Sequence, residues 1–158
     1  MDCDLNRDPC DGSSFEIKGG NSKVRITILN RERARADADY WDGNWLNAKV
    51  DIEFPGFGAN FAANIHAPEI VRFYDSLNRL QQSRNGEAKL ELMEPCLDLR
   101  AKIEDVGHIA WNGLAQYPCG FGPQLTFSFE SESSDLALVI ESMAAMVQRF
   151  PVKGSPDV

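Results

Sequence analysis

The side chains best suited to chemistry are gathered in one short stretch, where Asp37, Asp39, Tyr40, Trp41, Asp42, Asn44 and Trp45 combine two of the chain's three tryptophans with three carboxylates, a phenol and an amide. The chemistry such a set offers is recognition. Indole and phenol rings carry a large apolar body with a polar edge, and acid around them is the make-up of a protein-binding surface. Asp42-Gly43 reads as a turn dipeptide, glycine supplying positive φ at no steric cost. The competing reading makes Trp41 and Trp45 plugs at one end of a core, since tryptophan is usually well buried.

Catalysis has less to draw on. A nucleophile needs a base to activate it and a group to orient that base. The chain offers two histidines, His66 and His108, and a lone histidine is most often a structural residue, exposed or hydrogen-bonded. No nucleophile elbow, phosphate-binding loop, zinc-protease helix or dinucleotide fingerprint is present, and Gly120-Phe121-Gly122-Pro123 reads as a turn. Asp37 with Asp39, or Glu104 with Asp105, would need burial to shift a carboxyl pKa, and both pairs fall in loop sequence. No catalytic residue, metal ligand or cofactor is therefore expected. Cys3, Cys10, Cys96 and Cys119 lack CxxC spacing and read as free thiols, and Cys3 with Cys10 matches no common zinc pattern.

Composition narrows the classes further. The 158 residues fit one domain that buries a core without disulfide or metal staples. With 16 Lys and Arg against 24 Asp and Glu, the formal charge of −8 argues against coating a phosphate backbone and suits encounter with a basic partner. The N-terminus has neither the cationic start nor the apolar core of a secretory signal, and no apolar run is long enough to span a membrane. A cytoplasmic protein that binds neither nucleic acid nor membrane is expected.

The elements that must position the aromatic stretch follow from periodicity. Residues 1–14 are polar and aperiodic and read as a flexible tail. Phe15 and Ile17, then Val24, Ile26 and Ile28, alternate with polar neighbours as a hairpin. Arg31–Asp39 reads as an exposed loop. A third strand runs from Trp45 to Phe54, Pro55-Gly56 breaks it, and a fourth sets Phe57, Ala59, Phe61, Ala63 and Ile65 on one face. Ile70, Phe73, Tyr74, Leu77 and Leu80 recur at helical spacing after Pro68, with Asn85-Gly86 as the stop. Four more strands follow, carrying Ala88–Leu92, Leu97–Ile103, His108–Gln116 and Leu125–Phe129. A last helix begins with Ser134 as N-cap and shows Leu136, Val139, Ile140, Met143 and Val147 as its stripe. Trp111 shares the parity of Ile109 and reads as core. The prediction is an α+β fold of about eight mainly antiparallel strands in ββββα-ββββα order, with two helices on one face. A single domain spans 15–150 and a C-terminal tail 151–158. The other sheet face would carry Lys49, Asp51, Glu53, Asn60, Asn64, Asp98, Arg100 and Lys102, a set most often merely solvated.

The string Trp41-Asp42-Gly43-Asn44-Trp45-Leu46 resembles the Trp-Asp-Gly-Asn-Trp-Leu segment of the WapI-like immunity proteins, small bacterial proteins that protect a cell from a secreted polymorphic toxin. The likeness runs from about Val24 to Phe150 as an order of elements, with Trp41–Leu46 as its one motif, and the tail before Phe15 departs from it. The resemblance implies an intracellular, non-catalytic protein that binds the toxin's C-terminal domain. The candidate contact residues are then Asp37, Asp39, Tyr40, Trp41, Asp42, Asn44 and Trp45. Two alternatives stand beside this: a small ligand-binding domain or enzyme with a pocket lined by Asp105, His108 and Trp111, and a structural or oligomerising domain. Oligomeric state is open from sequence.

Overall fold

The computed structural model describes residues 13–32, 39–104 and 107–156. The order is β1 (Ser14–Gly19), β2 (Ser22–Arg31), α1 (Tyr40–Gly43), β3 (Trp45–Phe54), β4 (Phe57–His66), α2 (Ala67–Ser83), β5 (Glu87–Leu90), β6 (Leu97–Ile103), β7 (His108–Gln116), β8 (Gln124–Glu132) and α3 (Ser133–Arg149). This is the expected α+β arrangement of antiparallel meanders, each closed by a helix, with one short helix added at the aromatic stretch. The tail read over residues 1–14 lies, apart from Ser13 and Ser14, outside the described residues.

The eight strands divide into two antiparallel sheets of four, β1-β2-β3-β4 and β5-β6-β7-β8. Alternation dictates the faces. Phe15, Ile17, Val24, Ile26, Ile28, Val50 and Ile52 are buried from the first sheet, and Leu90, Leu97, Leu99, Ala101 and Ile109 from the second, while their polar neighbours face out. The helices close the core by exchange between the halves: α2 packs on β5, α3 on β1, and the two helices on each other. Phe15 of β1 meets Phe73 of α2 at a ring distance of 6.1 Å. Each such side chain withdrawn from water contributes roughly 1.5–3 kcal/mol.

The sheets meet at a crossing. Strand β8 lies against the turn ends of the first sheet, with Glu130 beside Gly19 at the end of β1. Phe127 and Phe129 stand 4.9 and 5.9 Å from Phe54 at the end of β3. Tyr117, in the β7–β8 connection, stacks on Phe61 of β4 at 5.4 Å. Trp111 is core, and its indole N–H donates to Ser131 Oγ at 2.9 Å.

Three local readings are corrected by the backbone. Gly43 does not take positive φ; it ends the helical turn α1, its N–H donating to the Asp39 carbonyl at 2.7 Å. Helix α2 stops at Arg84, not at Asn85-Gly86, because Arg84 itself adopts φ 54° and its N–H returns to the Leu80 carbonyl. The N-cap of α3 is Glu132 rather than Ser134, with the Asp135 carboxylate accepting from the Glu132 N–H at 3.2 Å. The Pro55-Gly56 break is a two-residue turn, Gly56 taking φ 83° after proline.

Cys96 and Cys119 are free thiols, the first buried and the second half-buried. Burial, then the hydrogen bond to Cys119, pushes the Cys96 thiol up to about 12. Its contribution to stability is full below the ordinary thiol range and is lost as pH climbs toward 12, because the unfolded chain ionises a group that the fold keeps protonated. Melting temperature is accordingly expected to fall more steeply above pH 9 in the parent protein than in Cys96→Ala. Parallel slopes would contradict the assignment.

Candidate functional site

The aromatic stretch is built from the first sheet outward. The two-residue turn fixes the β3–β4 register, which sets Trp45 directly opposite His66. His66 closes β4 and is the N-cap of α2, so one residue is placed by strand, helix and turn together. Its backbone N–H donates to Glu69 Oε1 at 2.8 Å, and Glu69 Oε2 accepts from the Met93 N–H at 2.7 Å. Both His66 and Glu69 are buried. The buried carboxylate thus ties the start of α2 to the β5–β6 connection.

The His66 ring is the platform of the site. Trp41 stacks on it at 5.5 Å with an interplanar angle of 10°, Tyr40 meets it edge-on at 5.5 Å, and Trp45 tilts against it at 5.0 Å. Tyr40 and Trp41 are themselves edge to face at 5.0 Å. His66 Nε2 lies 3.2 Å from the Trp41 carbonyl oxygen, which can only accept, so Nε2 carries the hydrogen. One face of the Trp41 indole is therefore seated, and the residue remains 51% exposed.

The turn beneath the indole is pinned from three directions. Asp39 Oδ1 accepts from the Asp42 N–H at 2.7 Å. Asn44 Nδ2 donates to the carbonyls of Tyr40 at 2.6 Å and Lys153 at 2.8 Å, and Asn44 Oδ1 accepts from the Lys153 N–H at 2.8 Å and from Arg31 at 3.1 Å. The Arg31 guanidinium also donates to the carbonyls of Gly43 and Pro151, both at 2.6 Å. Burial lowers its pKa from the ordinary value. The segment after Phe150, read from sequence as a tail, is thereby fastened to the turn as far as Lys153.

Of the seven candidate residues, Asp39, Trp41 and Asp42 are exposed, Tyr40 and Trp45 are half-buried, and Asn44 is buried. Asn44 shapes the turn from inside instead of facing a partner. Asp37 lies outside the described residues. His66, Glu69, Arg31 and Lys153 complete the site, and of these the His66-Ala67-Pro68-Glu69 run carries a readable signal, an N-cap followed three residues later by Glu.

Of the residues offered for a pocket, the two that are described, His108 and Trp111, lie on opposite faces of β7. Trp111 is sealed in the core, while His108 is exposed with Nδ1 4.0 Å from Glu130. Asp105 lies outside the described residues. Glu104 and Asp39 are exposed, so neither carboxylate has the burial that acid–base work requires. No group of three metal-ligating side chains occurs among the described residues, and no helix among them is long and apolar enough to cross a membrane.

No curated protein matches the sequence. The model of the Immunity protein WapI-like family matches residues 15–151, from the second residue of β1 to beyond the end of α3, and on that coverage the chain belongs to this family of immunity proteins.

Proposed function

We propose that the protein neutralises a cognate toxin by binding it directly and without catalysis, with the Trp41 turn as the contact surface. The observation that carries this reading is the half-exposed Trp41 indole stacked on the His66 ring. A preorganised aromatic loses little freedom on binding, which is how interface anchors gain affinity. Asp39 and Asp42 rim the indole and suit a basic partner surface, with Asp37 as a further candidate. Tyr40 and Trp45 support it from the side.

The outward sheet face supports the same choice by being occupied with itself. Glu16 pairs with Lys18 at 2.9 Å and with Arg25 at 3.0 Å, Lys23 with Glu53 at 3.2 Å, and Lys49 with Asp51 at 3.7 Å. Burial pushes the Glu16 carboxyl up, but the hydrogen bonds from Lys18 and Arg25 and the charges of Lys18 and Lys23 outweigh this and hold it below the ordinary value. Such pairs are worth little individually. They leave that face less charge to offer a partner.

The test is binding kinetics with the cognate toxin domain, sought first in the product of the adjacent gene. Trp41→Ala is expected to weaken binding by about 2 kcal/mol or more, roughly thirtyfold. Asp39→Asn with Asp42→Lys keeps an acceptor for the residue 42 N–H and reverses charge, so it should slow association most at low salt. Unchanged affinity and rate in folded variants would move the contact surface elsewhere. Failure of the wild type to capture the domain would count against direct binding.

A further inference from the structure

We propose that the β4 edge joins two copies of this chain by antiparallel pairing centred on Ala62, fusing their first sheets into one of eight strands. Among the four sheet edges, β1 is flanked by α3 and β8, β8 lies across the first sheet's turn ends, and β5 is a four-residue strand against α2. Strand β4 is a ten-residue edge whose chief neighbours are β3 and α2. It carries no Asp, Glu, Lys or Arg from Phe57 to His66, whereas adjacent β3 carries Lys49, Asp51 and Glu53. A long uncharged edge lacks the usual devices that prevent strand addition.

The register follows from hydrogen-bond parity. The two-residue turn makes Phe54 and Phe57 a hydrogen-bonded pair, so odd-numbered residues of β4 spend their backbone groups on β3. The N–H and C=O of Gly58, Asn60, Ala62 and Asn64 point to the open edge. The His66 N–H has the same parity and is already donated to Glu69, which ends the usable edge there. A two-fold axis at Ala62 pairs the edge-pointing groups between Asn60 and Asn64, which have no other partner among the described residues.

That register is also complementary in side chains. On the outward face Asn60 stands opposite Asn64 of the second copy and Ala62 opposite its own equivalent. On the inward face Phe61 would stand beside Ala63 and Ala59 beside Ile65 of the second copy, but Phe61, Ala63 and Ile65 are already buried in their own core and Phe61 carries Tyr117, so the backbone and the outward face carry the pairing. Asn30, Asn47 and Asn64 already form a row across β2, β3 and β4, with Asn47 Nδ2 donating to Asn30 Oδ1 at 2.8 Å. Asn60 of the second copy would continue that row. A second copy is the occupant this argues for, because self-pairing at Ala62 sets Asn60 against Asn64 and brings no like charges together across an edge that carries none. The formal charge of −8 opposes the pairing from a distance, so added salt should strengthen it.

Sedimentation of the full chain from micromolar to millimolar concentration, in low and high salt, tests this. The mass is expected to double, at lower concentration in high salt. Ala62→Lys puts two ammonium groups face to face and should leave a monomer with unchanged melting temperature. Asn60→Lys with Asn64→Lys should do the same, whereas Asn60→Lys with Asn64→Asp sets opposite charges across the axis and should keep the dimer. A monomeric wild type overturns the proposal, as does a dimer that survives Ala62→Lys or the double lysine. Loss of the dimer in the Lys–Asp variant overturns the register.

Discussion

Glu69→Ala is expected to lower the unfolding free energy by about 2–3 kcal/mol, because the buried His66 N–H loses its acceptor, an orphan that costs about 1–3 kcal/mol, and the part-buried Met93 N–H loses its own at the same time. The donors are the N–H groups of His66 and Met93, which the carboxylate bridges at 2.8 and 2.7 Å. The carboxylate also sits in the first turn of α2, where negative charge is favoured by the helix dipole. Glu69→Gln keeps one acceptor oxygen and should fall between the two. The measurement is the urea midpoint at unchanged slope. It is informative about the proposed contact surface as well, since His66 seats Trp41: if that surface binds a toxin, Glu69→Ala should weaken binding in the protein that remains folded, by loosening the platform rather than by removing a contact. An unfolding free energy, slope times midpoint, within a few tenths of a kcal/mol of the parent would show that water replaces the carboxylate and that the His66 anchor is weaker than its geometry implies.

The strands were legible because each hides one face, and period-2 alternation records that directly; β2, β3, β6 and β8 lie where the alternation puts them. The pairing of Trp45 with His66 was legible too, by counting outward from the Pro55-Gly56 turn, although a histidine taken alone looks unremarkable. Helix ends were less so. Arg84 adopts a left-handed conformation that a residue with a side chain rarely takes, and glycine two positions on is the more usual stop. The burial of Asn44 was hidden from the sequence for a different reason. Its amide is satisfied by Arg31 and by Lys153, which lies 109 residues away, and no local pattern announces so distant a partner. The division into two sheets was equally hidden, since alternation fixes faces but not which strand ends will cross. The resemblance of Trp41–Leu46 pointed to the family before any of this geometry, and the family match over residues 15–151 agrees with it.

Gly19→Ala should be a severely damaging small substitution, with a loss of about 3 kcal/mol or failure to fold. A Cβ placed there falls inside the Glu130 carbonyl group, 2.7 Å from its carbon and closer still to its oxygen, with the Phe129 ring 2.9 Å away. Overpacking against flexible side chains costs about 1–3 kcal/mol. Here the obstacle is backbone held in the β7–β8 ladder at Ala110 and Glu130, so relief requires moving β8 bodily off the first sheet. That movement would also pull Phe127 and Phe129 away from Phe54. Gly20 supplies the control. It occupies the adjacent turn at φ 58°, and a Cβ there would meet nothing within 4 Å, so Gly20→Asn, a residue that tolerates the left-handed region, should cost well under ~1 kcal/mol. Melting curves of the two variants separate the explanations. A large loss at Gly19 with a small one at Gly20 assigns the cost to the contact between the sheets, and equal losses would assign it to the hairpin turn. The trade is a sheet crossing close enough to seal a two-sheet core, at a position where only hydrogen fits.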